Sequence, residues 1–168
     1  MSLSSELLQY LLSGLTMGAI YALVALGFVI IHNVTGIINF AQGEFLMMGA
    51  MFMVTLVGAG LPTIPAIIIS VLLVVIVVGL LEFTTIRTAR RASPVSLVIL
   101  TIGLSTAIKG VALLVWGTDP YRVEPFTQGD PISIGGATVV PQSFWVIGTA
   151  AALLALTFFI FEYTYWGK

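Results

Sequence analysis

The chain has 168 residues, of which 59% are hydrophobic and 8% are charged. An ordinary soluble domain carries about a quarter charged residues, so this composition excludes a water-soluble globule and predicts a surface that faces a lipid bilayer. A net charge of -1, with no long basic run, excludes the clustered cations that nucleic-acid binding requires. With no cysteine and one histidine, the sequence predicts neither a thiolate nor a multi-histidine metal site.

Hydrophobic stretches organise the whole chain. A membrane-spanning helix needs about 20 apolar residues to cross about 30 Å of hydrocarbon. Stretches that have or approach this length predict four spanning helices: Leu7–Ile31, Ile64–Phe83, Val95–Trp116 and Phe144–Phe161. Another stretch, about Ile37–Gly58, is apolar only from Phe45 onward.

This pattern predicts an all-α, polytopic membrane protein with about five transmembrane helices, of which the second is short or interrupted. No repeat and no Pro-rich or Ser-rich linker divides the chain. Residues 1–168 are therefore predicted to form a single membrane-spanning domain.

The arginines between the third and fourth spans predict the orientation of the chain. Arg87, Arg90 and Arg91 lie in this short loop, and such cations stay in the cytoplasm. The N-terminus and the loop 117–141 are then predicted to lie outside. Aromatic residues at the span ends are predicted to anchor in the headgroup layer: Trp116, Trp145, Tyr163, Tyr165 and Trp166.

The outer loop contains a hairpin pattern. Ile132–Ile134 and Ala137–Val139 flank Gly135 and Gly136, and two consecutive glycines can adopt the positive φ angles that close a two-residue turn. The sequence therefore predicts a small external hairpin.

The second apolar stretch carries polar residues at its start, namely Asn39, Gln42 and Glu44. Either the helix begins near Ile37, or a half-helix follows irregular backbone around Thr35-Gly36 and Gly43. A carboxylate near the bilayer centre costs at least ~2.5 kcal/mol, so it usually faces the protein interior or a wet cavity. These three residues are predicted to line a substrate pathway. Alternatively, Glu44 lies hydrated at the cytoplasmic interface, and the two amides serve helix packing.

The fourth span carries Thr101, Ser105 and Lys109 at intervals of four residues, which places them on one helical face. Thr101 and Ser105 are predicted to belong to the same pathway. For Lys109 we expect the long side chain to carry its ammonium to the outer headgroups. The alternative is a pair with a buried acid, for which Glu44 is a candidate.

Small residues recur at helical spacing in two spans. Gly14 and Gly18 form a G-x-x-x-G motif in the first span, and Gly103 begins a similar stripe in the fourth. Small residues allow helices to approach closely, so these glycines are predicted to pack helices within the chain or between neighbouring chains. His32, at the inner end of the first span, is expected to be interfacial, with a proton relay as the alternative.

Longer motifs carry a resemblance to a known family. The stretch Gly36–Ala50, together with Ser13–Leu23, resembles the permeases of branched-chain amino-acid ABC importers, the LivH type. The resemblance continues through Ile86-Arg87 and Ile102–Ser105 to Tyr165–Lys168 and covers essentially the whole chain. It departs at Lys109, where similar permeases tend to carry a neutral residue. Members of the family are considerably longer, so the resemblance predicts that this sequence is an N-terminal part without the ATPase-coupling loop.

The resemblance implies a multi-pass protein of the bacterial inner membrane that moves branched-chain or hydrophobic amino acids into the cytoplasm. It implies ABC ATPase subunits, a second related permease and an external solute-binding protein as partners. The chain itself is then not an enzyme and needs no cofactor, because ATP binds to the partner subunits. A urea, short-amide or sugar ABC permease and a proton-coupled secondary carrier are the alternatives.

Overall fold

The structure, a computed structural model, describes residues 3–89, 92–127 and 129–163. Arg90, Arg91, Tyr165 and Trp166, which the sequence analysis singled out, lie outside these ranges. The helices are α1 (Leu3–Thr35), α2 (Gln42–Gly58), α3 (Thr63–Leu81), α4 (Pro94–Trp116) and α5 (Pro141–Tyr163). A π-helical turn, Glu82–Ile86, extends α3, and the strands are β1 (Ile132–Ile134) and β2 (Ala137–Val139).

Helix lengths confirm an all-α architecture with four long apolar helices and a short second one. By length and composition, α1, α3 with its π-helical turn, α4 and α5 are each able to cross a membrane. Helix α2 has 17 residues, about 25 Å at 1.5 Å per residue, which is less than the hydrocarbon thickness.

The start of α2 decides between the two forms expected for the second stretch. Residues 36–39 have no regular structure, Gly36 has a φ of 68°, and the helix begins at Gln42. The short helix preceded by irregular backbone is therefore the correct form. Gly43 was expected to be part of the irregular backbone, but it lies inside α2, because the turn before the helix ends at Ala41.

A side chain in the irregular segment organises the entry into α2. Asn39 is buried, and its Oδ1 accepts a hydrogen bond of 3.0 Å from the backbone N–H of Ala41. This turn is the kind that asparagine favours. It aligns the chain so that the backbone N–H of Phe45 reaches the carbonyl of Ala41.

Contacts divide the described residues into two compact units, Met1–Val29 with Glu124–Lys168, and Ile30–Val123. In the second unit, α2 and α3 form a helical hairpin whose turn ends in Gly60 (φ 88°). The backbone N–H groups of Gly60 and Leu61 return to the carbonyls of Val57 and Leu56, which is a Schellman motif. The apolar core of this unit centres on α2 and comprises Ala41, Phe45, Met48 and Ile108.

In the first unit, the expected hairpin is present and packs on the start of α1. Gly135 and Gly136 have φ angles of 58° and 85°, and Ile132 pairs with Val139. The Gln9 side chain of α1 bonds both backbone polar groups of Thr138 in β2. Gln9 Oε1 accepts a hydrogen bond of 2.6 Å from the Thr138 N–H, and Nε2 donates one of 3.0 Å to the Thr138 carbonyl. This packing explains why α1 begins at Leu3, four residues before its predicted start.

Candidate functional site

The polar face of α4 contacts the start of α2, as the periodicity of the sequence allowed. Hydrogen bonds join α4 to α2 along its length and to the residue Phe40 before it: Thr101 to Phe40, Ser105 to Glu44, and Trp116 to Thr55. Each joins residues that are 61 positions apart. Helices α2 and α4 therefore run parallel in a constant register, which sets the depth of each polar group.

Thr101 attaches the irregular segment to α4. Its side chain is 1% exposed, and its hydroxyl accepts a hydrogen bond of 3.3 Å from the backbone N–H of Phe40. The hydroxyl has one proton, and the nearest acceptor is the Val98 carbonyl of its own helix at 2.8 Å, while the Ile38 carbonyl lies at 3.4 Å. In this conformation Thr101 holds the backbone that leads into α2.

Glu44 is buried against the middle of α4. Ser105 Oγ donates a hydrogen bond of 2.8 Å to Glu44 Oε1, and Ser105 is the central residue of α4. The Glu44 residue as a whole, backbone included, is 8% exposed. A hydrated position at the cytoplasmic interface, which the sequence left open, does not agree with this burial.

Lys109 pairs with Glu44 instead of extending away from it. The Nζ atom lies 3.1 Å from Glu44 Oε1, and the Lys109 side chain is 59% exposed while that of Glu44 is 11% exposed. The expectation that Lys109 reaches the headgroups is therefore not what the structure shows. A buried carboxylate needs a partner in a region of low dielectric constant, and Lys109 is the cation one helical turn beyond Ser105.

A cavity of about 1000 Å³ lies within the second unit, beside the irregular segment. Its wall is formed by the end of α1, residues 36–39, Phe45 of α2, the end of α3 with its π-helical turn, and the first turns of α4. Most of the lining is aliphatic, and Asn39, His32 and Glu82 contribute polar groups. This volume is at the upper end of the range for small-molecule pockets, about 300–1,000 Å³.

The predicted pathway residues occupy two adjoining places. Asn39 lies on the cavity wall. Glu44, Thr101 and Ser105 lie at the contact of α2 with α4, and Gln42 is half-buried in the first turn of α2. Their role in transport stays a prediction.

The other singled-out residues lie elsewhere. A methyl group added to Gly14, Gly18 or Gly103 would meet no atom within 4 Å outside its own helix, so within its own described unit none of them packs against another helix. Arg87 follows the π-helical turn, and its guanidinium lies 5.3 Å from the centre of the Phe83 ring.

Two features of the site were not identified from the sequence. Trp116, expected to be an anchor, donates from Nε1 to Thr55 Oγ1 at 2.9 Å and packs edge-on against Phe52, which holds the far end of α2 on α4. The π-helical turn brings Glu82 to the cavity. Thr84, whose hydroxyl donates to the Leu80 carbonyl, is a local signal in that stretch, since such bonds often bend helices.

Comparisons with known proteins find a matching family and several similar proteins. The family model described as the permease component of the branched-chain amino acid transport system matches residues 10–168. The chain is 28% identical to the high-affinity branched-chain amino acid transport system permease protein LivH of Salmonella typhimurium, over 91% of the chain and 54% of that protein. It is 27% identical, with the same coverage, to LivH of Escherichia coli K12 and to BraD of Pseudomonas aeruginosa.

No solved structure is significantly similar to the chain. The chain spans about half the length of the curated relatives it matches. The family match covers nearly all of its residues, including the start of α2 and the polar face of α4. The chain therefore belongs to the family of branched-chain amino acid transport permeases.

Proposed function

We propose that this chain forms part of the transmembrane permease of an ABC importer that moves branched-chain or other hydrophobic amino acids into the cytoplasm. ATP hydrolysis takes place on ATPase subunits, a second related permease completes the pathway, and an external binding protein delivers the solute. The relatives named above, which are branched-chain amino acid permeases, support this substrate class. Gly14, Gly18 and Gly103, which have open space beside them, are available for helix packing in the full assembly.

The burial of Glu44 at the level of the α4 midpoint is the observation that carries the proposal. A carboxylate at this depth is costly unless it is partnered or faces a solute route. Transporters commonly place such groups where a helix is interrupted, near the membrane centre. The irregular segment before α2 provides this interruption.

The cavity beside Asn39 supports a hydrophobic amino acid as the solute. Aliphatic side chains dominate its wall and would accept an apolar side chain, while the amide of Asn39 offers a polar contact. In the predicted orientation, this cavity lies at the cytoplasmic ends of the helices. It would then serve as the exit side of the route.

Uptake of radiolabelled leucine tests the proposal. Cells that express the chain from its native locus are compared with a deletion strain, and right-side-out membrane vesicles are assayed with and without internal ATP. We expect the deletion to abolish a component of leucine uptake that requires ATP. Uptake on a proton gradient alone would contradict the ABC mechanism. Loss of urea, short-amide or sugar uptake, with leucine uptake intact, would contradict the substrate class.

Glu44 can be tested in the same assay. Glu44→Gln removes the charge but keeps an acceptor for Ser105, and we expect uptake to fall by about tenfold or more, which corresponds to ~1.4 kcal/mol. Glu162→Gln, at an exposed position near the end of α5, is the matched control and should change uptake less than about twofold. Unchanged uptake by Glu44→Gln would assign Glu44 a structural role.

A further inference from the structure

The pair of Lys109 and Glu44 leaves polar atoms of both residues available. Within the described part of the chain, the two polar contacts of the Glu44 side chain both fall on Oε1, one from Ser105 and one from Lys109. Its Oε2 is left for another donor. The Lys109 ammonium has three N–H groups, and Glu44 is its partner among the described residues.

The exposure of Lys109 is unusual for its depth. It lies seven residues before the end of α4, about 10 Å along the helix, and more than half of its side chain is exposed. Hydrocarbon does not solvate an ammonium group, so this side of the pair requires water or a polar ligand. The exposed Lys109 ammonium lies 3.1 Å from Glu44 Oε1, so a ligand that contacts the ammonium would also lie close to the Glu44 carboxylate.

We propose that Lys109 and Glu44 together bind the charged end of a zwitterionic α-amino acid as it passes. Lys109 binds its carboxylate and Glu44 binds its ammonium group. The inference rests on the proposed function and adds Lys109 as a residue that determines specificity.

The net charge of the pair explains the preference for a zwitterion. The pair is neutral, so a ligand with one charge would engage one member and leave the other without a counter-charge in a region of low dielectric constant. A zwitterion satisfies both members and keeps the site neutral. An amine or a carboxylic acid of the same size is thereby rejected.

A permanent ion pair that only holds α2 on α4 is the competing explanation, and a double variant separates the two. Glu44→Gln/Lys109→Met removes both charges together, so no uncompensated charge is left in the protein. If the pair binds the solute, this variant accumulates in the membrane and melts like the wild type, but ATP-dependent leucine uptake falls about tenfold or more. Wild-type uptake by the double variant would overturn the inference.

Two further variants control for side-chain size and charge. Lys109→Arg keeps a cation and should retain uptake within a few-fold, whereas Lys109→Met should not. Thr106→Met places the same new side chain at an exposed position on α4 and should leave uptake unchanged. A loss of uptake in Thr106→Met equal to that in Lys109→Met would contradict a specific role for the charge.

Direct binding to the wild-type protein keeps the test valid if the double variant does not fold. The purified protein in nanodiscs is examined by saturation-transfer NMR with leucine, 3-methylbutylamine and 4-methylpentanoate at equal concentrations. We expect a signal for leucine that is weaker for both analogues, which lack the carboxylate and the ammonium group respectively. Equal signals would overturn the inference. Absence of ATP-dependent leucine uptake by the wild type would instead contradict the proposed function.

Discussion

At the scale of single residues, hydroxyl groups on α4 determine where the polar start of α2 lies. Thr101 accepts a hydrogen bond from the Phe40 backbone, and Ser105 donates to the Glu44 carboxylate. Both hydroxyls are buried, so each satisfies a polar group that would otherwise lie in a region without water. Sequence periodicity placed them on one face, but only the fold shows that this face meets α2.

Thr101→Val is expected to destabilise the protein. Valine has nearly the same shape but no hydroxyl, so the Phe40 N–H loses its acceptor, which costs about 1–3 kcal/mol when the donor stays buried. The melting temperature of the purified protein should fall. Thr101→Ser, which keeps the hydroxyl, should have a melting temperature close to that of the wild type. Thr106→Val is the control, because in the described part of the chain the Thr106 hydroxyl bonds the Ile102 carbonyl of its own helix and no other element. If Thr101→Val lowered the melting temperature no more than Thr106→Val does, the hydrogen bond to Phe40 would contribute no stability.

At the scale of elements, the long spans could be predicted from the length of their apolar runs, whereas their ends could not. The N-terminal turn of α1 contains polar residues and is held by the hairpin, whose residues lie about 130 positions further along the chain. The irregular entry into α2 likewise depends on Thr101, 61 positions away from Phe40. Local sequence carries no signal of such distant contacts, so two forms of α2 remained possible.

The same limit applies to the candidate site. Residue type and spacing identified Glu44, Thr101 and Ser105, because polar residues are rare in apolar stretches. They did not determine whether Lys109 reaches Glu44 or the headgroups. This choice depends on the parallel register of α2 and α4, which places Glu44 opposite Ser105 and one turn from Lys109.

Gly136→Ala is expected to loosen the hairpin from α1. Gly136 has a φ of 85°, and a methyl group there would lie 3.0 Å from Ser5 Cβ. An L-residue in the left-handed region costs about 1–2 kcal/mol before any steric contact is counted. Hydrogen exchange at the Thr138 amide, which donates to Gln9, should therefore become faster.

Gly129→Ala is the control for this substitution in the same loop. A methyl group there meets no atom within 4 Å among the described residues. Exchange at Thr138 should then stay at the wild-type rate. Equal exchange rates in the two variants would contradict a role for the turn geometry in docking the hairpin.

At the scale of the whole molecule, one contact links two predictions about topology. The hairpin packs on the first turns of α1, so the N-terminal end of α1 and the loop after α4 lie on one side of the membrane. The positive-inside rule places Arg87 on the cytoplasmic side. Together they predict that α1 begins outside, in agreement with the orientation expected from the arginines alone.

Single cysteines test this orientation directly, since the chain has none of its own. Ser4→Cys, Ser133→Cys and Thr88→Cys each place a thiol at an exposed position, near the start of α1, in β1 and after the π-helical turn respectively. A maleimide that does not cross membranes should label the first two in intact cells whose outer membrane has been permeabilised. It should label Thr88→Cys only after the inner membrane is opened. Labelling of Thr88→Cys without that step would reverse the orientation, whereas labelling of only one of the other two would contradict the packing of the hairpin on α1.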